Sequence, residues 1–499
     1  MMDHILRKYF KYRQKQMDHV AAHPFKYQNS ILRRIIRNNS KTKFGVEHGL
    51  SKIKSHADYT SGIPVRSYEE LFPYIQPMLE GQQNILCADP VYWFAKSSGT
   101  SNNRSKYIPV SAKYLKKGHL KCAWDAAGMI YNEDKRAKLF EDRSLIMGGS
   151  IEKINNKINA GDISAIILHH FPPIGRRFYT PDFETALMSD WEEKIKKMAS
   201  VTSMQNVTLL AGVPTWTIVL LHEILKQTGK ENISEVWPNL RSYLHGGVHF
   251  EPYKDIFREL IPDENVIYRE VFNASEGYFS IQNEKDQDGM LLLCDHEIYY
   301  EFIPESDISA SSPVVLSLSQ VDTDTNYAMV ISNTSGLYRY LLGDIIRFVS
   351  LSPFKIKVVG RTHEQINTFG EELSKANVMN ALELTSKEID FRIREFTIAP
   401  KPMTIEEGGK HEWFIEFIKA PINLAEFEQV LDSNLRRINS DYDAKRKHIK
   451  ALGPLEVRVM PEHTFRQWYK LKNKFGGQNK ILRLSQDRTI ADELLKIIS

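Results

Sequence analysis

Short apolar segments that end in glycine or serine constrain the fold of this chain more than any other feature. Three of them lie in the first half, at residues 92–94, 144–147 and 208–213, and stretches with helical spacing separate them. The second runs directly into two glycines and a serine at residues 148–150. Short buried strands that alternate with helices are typical of α/β architecture, in which ligands gather at the carboxyl ends of the strands. The sequence therefore predicts an α/β fold with a binding site beyond those strand ends.

The pattern changes to a β-rich one from residue 266 onward. Residues 278–281 and 290–294 flank a polar turn, which is the pattern of a hairpin. Further strands are predicted at residues 299–303, 328–332, 345–349 and 355–359. This part of the chain is therefore expected to form a β-rich subdomain.

The length of the chain, 499 residues, exceeds that of a single compact core, so two or more domains are expected. We place a boundary after the last predicted strand, at residues 360–363. The N-terminal domain, residues 1–361, is predicted to consist of helix-flanked sheets with the β-rich subdomain, and to open with amphipathic helices. The C-terminal domain, residues 362–499, is predicted to be a small, mobile α+β unit of ordinary domain size.

Composition and charge exclude several classes of protein. The 42% hydrophobic and 26% charged residues are typical of a soluble globular protein, and a net charge of +4 is too small to indicate a nucleic-acid binder. Cys87, Cys122 and Cys294 lie too far apart for a CxxC motif and fit a reducing compartment. The N-terminus is charged throughout, and the longest apolar stretch, residues 207–221, is too short for a membrane span. We expect a soluble, cytoplasmic monomer that binds neither nucleic acid nor a membrane.

A run of small and amide-bearing residues at 97–103 is followed by Lys106. It lacks the GxxxxGK[ST] pattern of a Walker loop, yet it has the parts of a phosphate site. Gly99 lets the backbone approach a ligand closely, and Lys106 adds a positive charge. The hydroxyl groups that can donate hydrogen bonds belong to Ser97, Ser98, Thr100 and Ser101. On composition alone a solvated turn explains the run better, so its interpretation depends on the other segments.

Two acidic residues further along the chain could complete a nucleotide site. Glu276, within residues 272–277, precedes the β-rich region, and a carboxylate beside phosphates is a natural ligand for Mg²⁺. Asp344 follows Gly343 directly and can accept hydrogen bonds from both hydroxyls of a ribose. Each segment also has a simpler explanation, a polar hairpin entry for the first and a Gly-Asp turn for the second.

A basic segment near the C-terminus, residues 466–483, has six Lys or Arg and no acid. Its lysines, close to Gly476 and Gly477, could reach a phosphoryl oxygen, whereas a solvated basic face is the simpler explanation and nucleic-acid contact a third. The histidines do not predict a zinc site. His245 and His249 are four apart, but the glycines between them disfavour the helix that would align them.

In their order along the chain, these segments resemble the motifs of the acyl acid amido synthetases known as the auxin-responsive Gretchen Hagen family. That family belongs to the wider adenylate-forming superfamily of acyl-CoA ligases and luciferase-like enzymes. Residues 97–106 resemble its Ser-Ser-Gly-Thr-Ser loop with a following Lys, and residues 272–277 its Tyr-x-x-Ser-Glu-Gly motif. Residues 338–344 resemble its Tyr-Arg-Tyr-x-Leu-Gly-Asp motif, and residues 476–483 its C-terminal Asn-Gln-x-Lys-x-Pro-Arg segment. The resemblance spans residues 94–483, nearly the whole chain.

The resemblance implies an ATP- and Mg²⁺-dependent ligase that joins a small carboxylic acid to the amine of an amino acid through an acyl-adenylate. It assigns catalytic roles to Lys106, Glu276 and Lys480, with Glu276 also the ligand for Mg²⁺. The residues that it assigns to ATP or AMP binding are Ser97, Ser98, Gly99, Thr100, Ser101, Phe272, Asn273, Ala274, Ser275, Tyr338, Asp344 and Arg361. In this scheme Phe272 covers the adenine, Asp344 holds the ribose, and Arg361 lies at the hinge of the small domain.

Three residues depart from the family pattern. Asn103 stands where the family has the second glycine of the loop, Phe272 where it has tyrosine, and Leu482 where it has the proline of the C-terminal segment. Two alternatives therefore stay open at this point. One is an acyl-CoA ligase, which shares the adenylation step and uses a thiol acceptor. The other is a nucleotide-binding relative without catalytic activity.

Overall fold

A computed structural model describes residues 2–97, 105–137, 142–188, 190–248, 250–284, 289–308, 310, 312–362, 364–404, 407–447, 451–471 and 482–498. Four sites predicted from the sequence, Ser98, Gly99, Thr100 and Ser101, lie outside these residues, as does Lys480.

The helices of the described chain are α1 (Met2–Ala22), α2 (Pro24–Asn39), α3 (Lys43–Glu47), α4 (His56–Gly62), α5 (Tyr68–Leu79), α6 (Ala112–Tyr114), α7 (Lys121–Glu133), α8 (Ile163–His169), α9 (Pro173–Arg176), α10 (Phe183–Ala186), α11 (Trp191–Thr202), α12 (Pro214–Thr228), α13 (Ile233–Val236), α14 (Lys254–Leu260), α15 (Lys375–Ser386), α16 (Leu424–Ile438), α17 (Ser440–Arg446), α18 (Thr464–Leu471) and α19 (Thr489–Ile498). Single 3₁₀ turns lie at Leu50–Lys52, Glu251–Tyr253 and Glu305–Asp307. A π-helical turn, Leu115–Leu120, joins α6 to α7.

The strands are β1 (Val91–Ser97), β2 (Lys106–Ser111), β3 (Arg143–Ile146), β4 (Ile151–Lys153), β5 (Asn159–Gly161), β6 (Tyr179–Thr180), β7 (Val207–Ala211), β8 (Ser242–His245), β9 (Ile267–Ala274), β10 (Gly277–Ile281), β11 (Met290–Leu292), β12 (Ile298–Pro304), β13 (Leu316–Ser317), β14 (Asn326–Asn333), β15 (Tyr340–Leu351), β16 (Phe354–Arg361), β17 (Gln365–Ile366), β18 (Leu373–Ser374), β19 (Arg392–Lys401), β20 (Lys410–Lys419) and β21 (Glu456–Val459).

In the described part of the chain, twelve strands form one sheet with two unlike halves. Strands β6, β3, β7, β8 and β9 are parallel neighbours. From β9 onward, β10, β11, β16, β15, β14, β12 and β13 follow as antiparallel neighbours. Parallel strands need crossover connections, which α12 supplies between β7 and β8 and α14 between β8 and β9, whereas hairpins join β9 to β10 and β15 to β16. The predicted α/β fold and its β-rich part are thus confirmed.

A second sheet and a C-terminal sheet flank this large one. Strands β2, β1, β5 and β4 form a four-stranded sheet, in which β1 and β2 are an antiparallel pair. Near the C-terminus, β19 pairs antiparallel with β20, and β21 joins β20 in parallel. Helices α15 and α16 pack on one another beside this sheet.

Two large apolar cores hold the molecule together. The first joins the antiparallel half of the large sheet to the N-terminal helices, where Ile31, Leu32 and Ile35 of α2 are buried as their spacing predicts. The second surrounds the parallel half and continues past residue 361, since Ile366 and Phe369 belong to the same cluster as residues of β7 and α12. The segment after residue 361 therefore packs against the rest of the chain, and the division at residues 361 and 362 stays a prediction.

Strand β15 differs from the sequence prediction in where it begins. The prediction starts the strand at residue 345 and treats Gly343 and Asp344 as a turn, whereas the strand begins at Tyr340 and runs through both residues. Gly343 has φ of 97°, a conformation that glycine adopts without strain, and the pairing with β16 shifts register just beyond it. The glycine therefore allows an irregularity within a strand, and Asp344 lies inside the sheet.

Among the helices in the described ranges, none is both long enough and apolar enough to cross a lipid bilayer.

Candidate functional site

The site is built around the turn between β9 and β10, where the large sheet changes from parallel to antiparallel. Glu276 occupies this turn, and two buried donors fix its backbone carbonyl: Tyr114 Oη at 2.7 Å and Asn333 Nδ2 at 3.1 Å. Gly277 follows without a side chain, because a Cβ atom there would lie 2.8 Å from Tyr114 Oη and 2.6 Å from Ile298 Cδ1. The Ser-Glu-Gly sequence thus fits a crowded turn that presents one carboxylate.

The Glu276 side chain is held by a single contact among the described residues. Tyr340 Oη donates to Glu276 Oε1 at 3.2 Å. Burial raises the pKa of the Glu276 carboxyl, whereas the nearby charges of Lys106 and Arg361 oppose that rise. A buried carboxylate with one neutral donor is poorly compensated, so a cation placed beside it would be stabilised.

Asp344 and Arg361 face each other across β15 and β16. They are register partners in the antiparallel ladder, and Arg361 Nε lies 2.8 Å from Asp344 Oδ1. Burial raises the pKa of the Asp344 carboxyl to about 6; Arg361 opposes the rise, and the charges of Glu276 and Glu372 add to it. The pair therefore presents a carboxylate acceptor whose orientation is fixed by a guanidinium.

Lys106 and Ser97 are brought together by the β1–β2 hairpin. They are register partners where β1 ends and β2 begins, and residues 98–104 between them lie outside the described part of the chain. The Lys106 ammonium lies 5.8 Å from the centroid of the Tyr68 ring, and its charge acts on both Glu276 and Asp344. The Lys106 ammonium thus lies near the carboxylates of Glu276 and Asp344, although the three residues come from separate segments.

These residues line a cavity of about 2240 Å³. The cavity opens beyond the carboxyl ends of the parallel strands β3, β7 and β8, which are followed in its lining by residues 147–150, 212–213 and 246–248. Ligand pockets commonly measure roughly 300–1,000 Å³. The cavity therefore has room for more than one small molecule at once.

The sequence-predicted site residues divide into three groups. Those that line the cavity are Ser97, Lys106, Phe272, Asn273, Ala274, Ser275, Glu276, Asp344 and Arg361. Phe272 packs with its ring centroid 4.9 Å from that of Phe279. Those outside the described residues are Ser98, Gly99, Thr100, Ser101 and Lys480. The third group is Tyr338 alone.

Tyr338 is not brought to the cavity, which corrects its predicted place. Its ring is fully buried and stacks on Phe44 with centroids 4.2 Å apart. Its hydroxyl donates to the carbonyl oxygen of Leu86 at 2.5 Å. A ring enclosed in this way by the apolar core has no face left for a nucleotide, and it holds the N-terminal helices against the sheet instead.

His245 belongs to an aromatic cluster that lines the cavity. Its ring stacks on Phe250 at 3.9 Å between centroids, and burial lowers its pKa to about 3, so it is neutral at ordinary pH. His249 lies outside the described residues. The described residues contain no group of three or more His, Cys, Asp or Glu side chains placed to hold a metal ion.

The cavity is also lined by residues that sequence reasoning did not find. Gly370, Glu372 and Lys445 line it, all from the segment after residue 361. Lys445 is buried, with 5% of its surface exposed, although it lies in a strongly charged stretch of sequence. Nothing in that stretch distinguishes it from the exposed lysines around it, because its burial depends on the packing of α17 against α12.

Comparison with protein families gives matches along most of the chain. The GH3 family N-terminal domain matches residues 13–185 and 150–266, the GH3 family central domain residues 291–361, and the GH3 family C-terminal domain residues 376–489. The N-terminal match alone covers more than half of the chain.

Curated relatives resemble the chain over most of its length at low identity. It is 23% identical to the indole-3-acetic acid-amido synthetase GH3.4 of Arabidopsis thaliana, over 91% of this chain and 87% of the relative. It is 20% identical to the jasmonoyl-L-amino acid synthetase JAR4 of Nicotiana attenuata, over 91% of this chain and 88% of the relative.

Solved structures share the fold. A structure of the acyl acid amido synthetase AtGH3.15 in complex with 2,4-DB matches with a TM-score of 0.63 and 17% identity, over 98% of this chain and 95% of the other. A 2-hydroxyisobutyryl-CoA ligase in complex with 2-HIB-AMP and CoA matches with a TM-score of 0.52 and 14% identity, over 97% and 93%.

Proposed function

Because this chain belongs to the GH3 family, we propose that it is an ATP- and Mg²⁺-dependent ligase that joins a small carboxylic acid to the amine of an amino acid. In the first step a carboxylate oxygen of the acid attacks the α-phosphorus of ATP, and pyrophosphate leaves with the electrons of the broken P–O bond. In the second step the amine attacks the acyl carbon, AMP leaves, and the nitrogen loses a proton as the amide forms.

The observation that carries the proposal is the convergence of Lys106, Glu276, Asp344 and Arg361 on one cavity. Phosphoryl transfer depends on positioning and on neutralising charge more than on covalent help from the protein. A lysine, a carboxylate suited to a metal and a carboxylate suited to a ribose supply those functions. The names of the relatives, which are amido synthetases of indole-3-acetic acid and of jasmonoyl conjugates, support the choice of an amide product.

Glu276 is the residue that would hold Mg²⁺. The fit rests on its own surroundings: its carboxylate is buried, one neutral donor contacts it, and burial raises its pKa. Mg²⁺ in nucleotide sites is held by one or two carboxylates together with phosphate oxygens. When bound there, the ion would neutralise developing charge on the phosphates.

The remaining roles follow from position in the cavity. Asp344, oriented by Arg361, would accept hydrogen bonds from the ribose, and Phe272 would cover the adenine. Lys106 would draw the phosphates toward β2. Residues 97–101 would add donors to the phosphates, and Lys480 would stabilise charge at the α-phosphorus. We also propose that the protein acts in the cytoplasm as a monomer.

The first prediction concerns Glu276→Gln, which keeps the shape of the side chain and removes its charge. With a panel of carboxylic acids, the unaltered protein is expected to release pyrophosphate only when ATP, an acid and Mg²⁺ are all present. The variant is expected to lose at least about a hundredfold in kcat/KM for this step, since a charge-stabilising group at the transition state is removed. It should also need more Mg²⁺ for half-maximal activity. Pyrophosphate release measured across a Mg²⁺ titration checks both expectations.

The matched control is Glu231→Gln, which alters an exposed glutamate outside the cavity. It should leave both the rate and the Mg²⁺ requirement unchanged. Absence of acid-dependent pyrophosphate from the unaltered protein, together with ATP binding in calorimetry, would point to a nucleotide-binding protein without catalysis.

A second candidate function is an acyl-CoA ligase. The structural likeness to 2-hydroxyisobutyryl-CoA ligase favours it, because that protein shares the fold over nearly the whole chain. Both candidates begin with the same adenylation. Mass spectrometry of products formed with amino acids or with CoA separates them, since the first gives an amide and the second a thioester.

A further inference from the structure

Lys445 is a buried cation that lines the cavity. It lies in α17, and only 5% of its surface is exposed. Its ammonium donates to Thr215 Oγ1 at 3.3 Å and lies 4.2 Å from the centroid of the Trp216 ring. Gly370 packs against it so closely that a Cβ atom there would lie 3.0 Å from Lys445 Nζ. The ammonium is therefore fixed in place between two parts of the chain.

This ammonium has no ion-pair partner within 4.0 Å among the described residues. Four carboxylates stand further away and act on it only through space, namely those of Asp441, Glu371, Asp162 and Glu372. Burial lowers the pKa of Lys445 to about 7, and these carboxylates oppose that shift. A buried charge without an ion-pair partner is unfavourable, and an anion in contact with it would remove much of that penalty.

The surroundings of Lys445 favour an anion in a second way. Thr215 and Trp216 lie in the first turn of α12, a helix of 15 residues, and its N-cap residue Val213 offers no side-chain acceptor to that turn. The N-terminus of a helix carries a partial positive charge and amide donors that attract anions. Thr215, Trp216 and Lys445 stand together where the N-terminal and C-terminal parts of the chain meet.

The proposed reaction has three kinds of anion, and two of them are accounted for elsewhere. The phosphates of ATP belong beside Lys106 and Glu276. The carboxylate of the acid loses its charge when it becomes part of the adenylate. The α-carboxylate of an amino-acid acceptor keeps its charge from binding to product release, so it is the anion that a fixed ammonium suits best.

We propose that Lys445, together with the first turn of α12, binds the α-carboxylate of the amino-acid acceptor. The inference rests on the proposed function and deepens it, because it makes Lys445 the residue that selects amino acids over amines without a carboxylate. With its carboxylate at Lys445, the acceptor lies in the same cavity as the adenylate, and its amine stays free to attack.

The experiment uses the full-length variant Lys445→Met, which keeps the apolar stem and removes the charge. Acyl-adenylate formation is followed by trapping with hydroxylamine, an acceptor without a carboxylate, and amide formation is followed with amino acids. The KM for the amino acid is expected to rise by about tenfold to a hundredfold, the factor associated with losing a hydrogen bond to a charged group. Hydroxamate formation should stay within about twofold of the unaltered protein, because hydroxylamine has no carboxylate for Lys445 to bind. A twofold change amounts to only a few tenths of a kcal/mol.

The matched control is Lys447→Met. Lys447 lies at the end of the same helix, and its side chain is exposed and paired with Asp443. It should leave the KM for the amino acid unchanged. Loss of both hydroxamate and amide in Lys445→Met would overturn the inference, since it would place the ammonium on ATP or on the fold. An unchanged KM would overturn it equally. If even the unaltered protein formed no hydroxamate with any acid, the proposed function would fail first and the acceptor site with it.

Discussion

Asp344 and Glu276 are carboxylic acids in a poorly hydrated wall of the cavity, and burial raises the pKa of both. The two are nevertheless suited to different partners. Asp344 is oriented by Arg361 and can accept hydroxyl groups, whereas Glu276 receives one phenolic donor and can take a cation. The difference arises from their neighbours, since the side chains carry the same functional group.

The raised pKa of Asp344 leads to a prediction about pH. The carboxylate is the stronger acceptor for ribose hydroxyls, and it becomes protonated as the pH falls through about 6. The value of kcat/KM for ATP reports ionisation in the free enzyme, so it should be highest above pH 6 and fall below it. The fall should level off at about tenfold, because the protonated carboxyl is still a neutral acceptor. Rates at subsaturating ATP between pH 5 and 8 measure the decline, the range in which a group of this pKa titrates.

Asp344→Asn separates this group from the titration of ATP itself. The variant should bind ATP more weakly, by about tenfold, since a charged acceptor is replaced by a neutral one. Its kcat/KM should lack the part of the decline that belongs to Asp344. The same pH profile in the variant and in the unaltered protein would contradict the assignment.

Sequence reasoning singled out some of the charged residues that line the cavity and missed others. Lys106, Glu276 and Asp344 could be singled out because each combines a charge with nearby glycine or serine and an adjoining strand. Tyr338 belongs to the same kind of motif but fills the core, and alternation along a strand does not tell an aromatic ring of the core from one of a site. The sequence around Lys445 does not indicate that it is buried, because the helix that covers it lies 230 residues away along the chain.

At the scale of elements, the close contact between α1 and α7 sets how the N-terminal helix lies on the sheet. Gly128 of α7 allows this approach, since a Cβ atom there would lie 2.6 Å from Phe10 Cδ1. Beside this contact, Arg13 of α1 donates to both carboxylate oxygens of Asp125, at 2.7 and 2.8 Å. A buried ion pair and a glycine contact thus fix one helix against the other.

Gly128→Ala is predicted to destabilise the protein by about 1–3 kcal/mol, the range for adding a methyl group to a packed interior. The added Cβ would force the Phe10 ring or α1 itself to move. Urea unfolding followed by circular dichroism measures the loss. Gly62→Ala is the control, because its nearest neighbour would be 4.0 Å away. Equal stability of both variants would show that the helices do not depend on this contact.

Elements were predictable where periodicity was strong. The hairpin of residues 278–281 and 290–294 corresponds to β10 and β11, which pair as expected. The extent of β15 was not predictable, because a Gly-Asp pair has the same sequence in a turn and in an irregular strand. The change from parallel to antiparallel pairing at β9 could not be predicted from the sequence either, because it depends on which strands become neighbours in the sheet.

At the scale of the whole molecule, two parts of the chain line the cavity. One part comprises β2, β9, β15 and β16 and has the groups suited to a nucleotide and a metal ion. The other includes Gly370, Glu372 and Lys445 from beyond residue 361. The GH3 family fold thus gives a single space in which an activated acid and its acceptor could meet. The sequence predicted the parts of the chain before and after residue 361. It did not predict that one apolar core would contain residues from both parts.

The central claim is that the acid is activated by direct attack on the α-phosphorus of ATP. An acid that supports pyrophosphate release, labelled with heavy oxygen in its carboxylate, tests this most directly during conversion to the amide. The account predicts that AMP carries one labelled oxygen atom and that the amide keeps the other. Formation of ADP with the label in inorganic phosphate, or AMP without label, would contradict it.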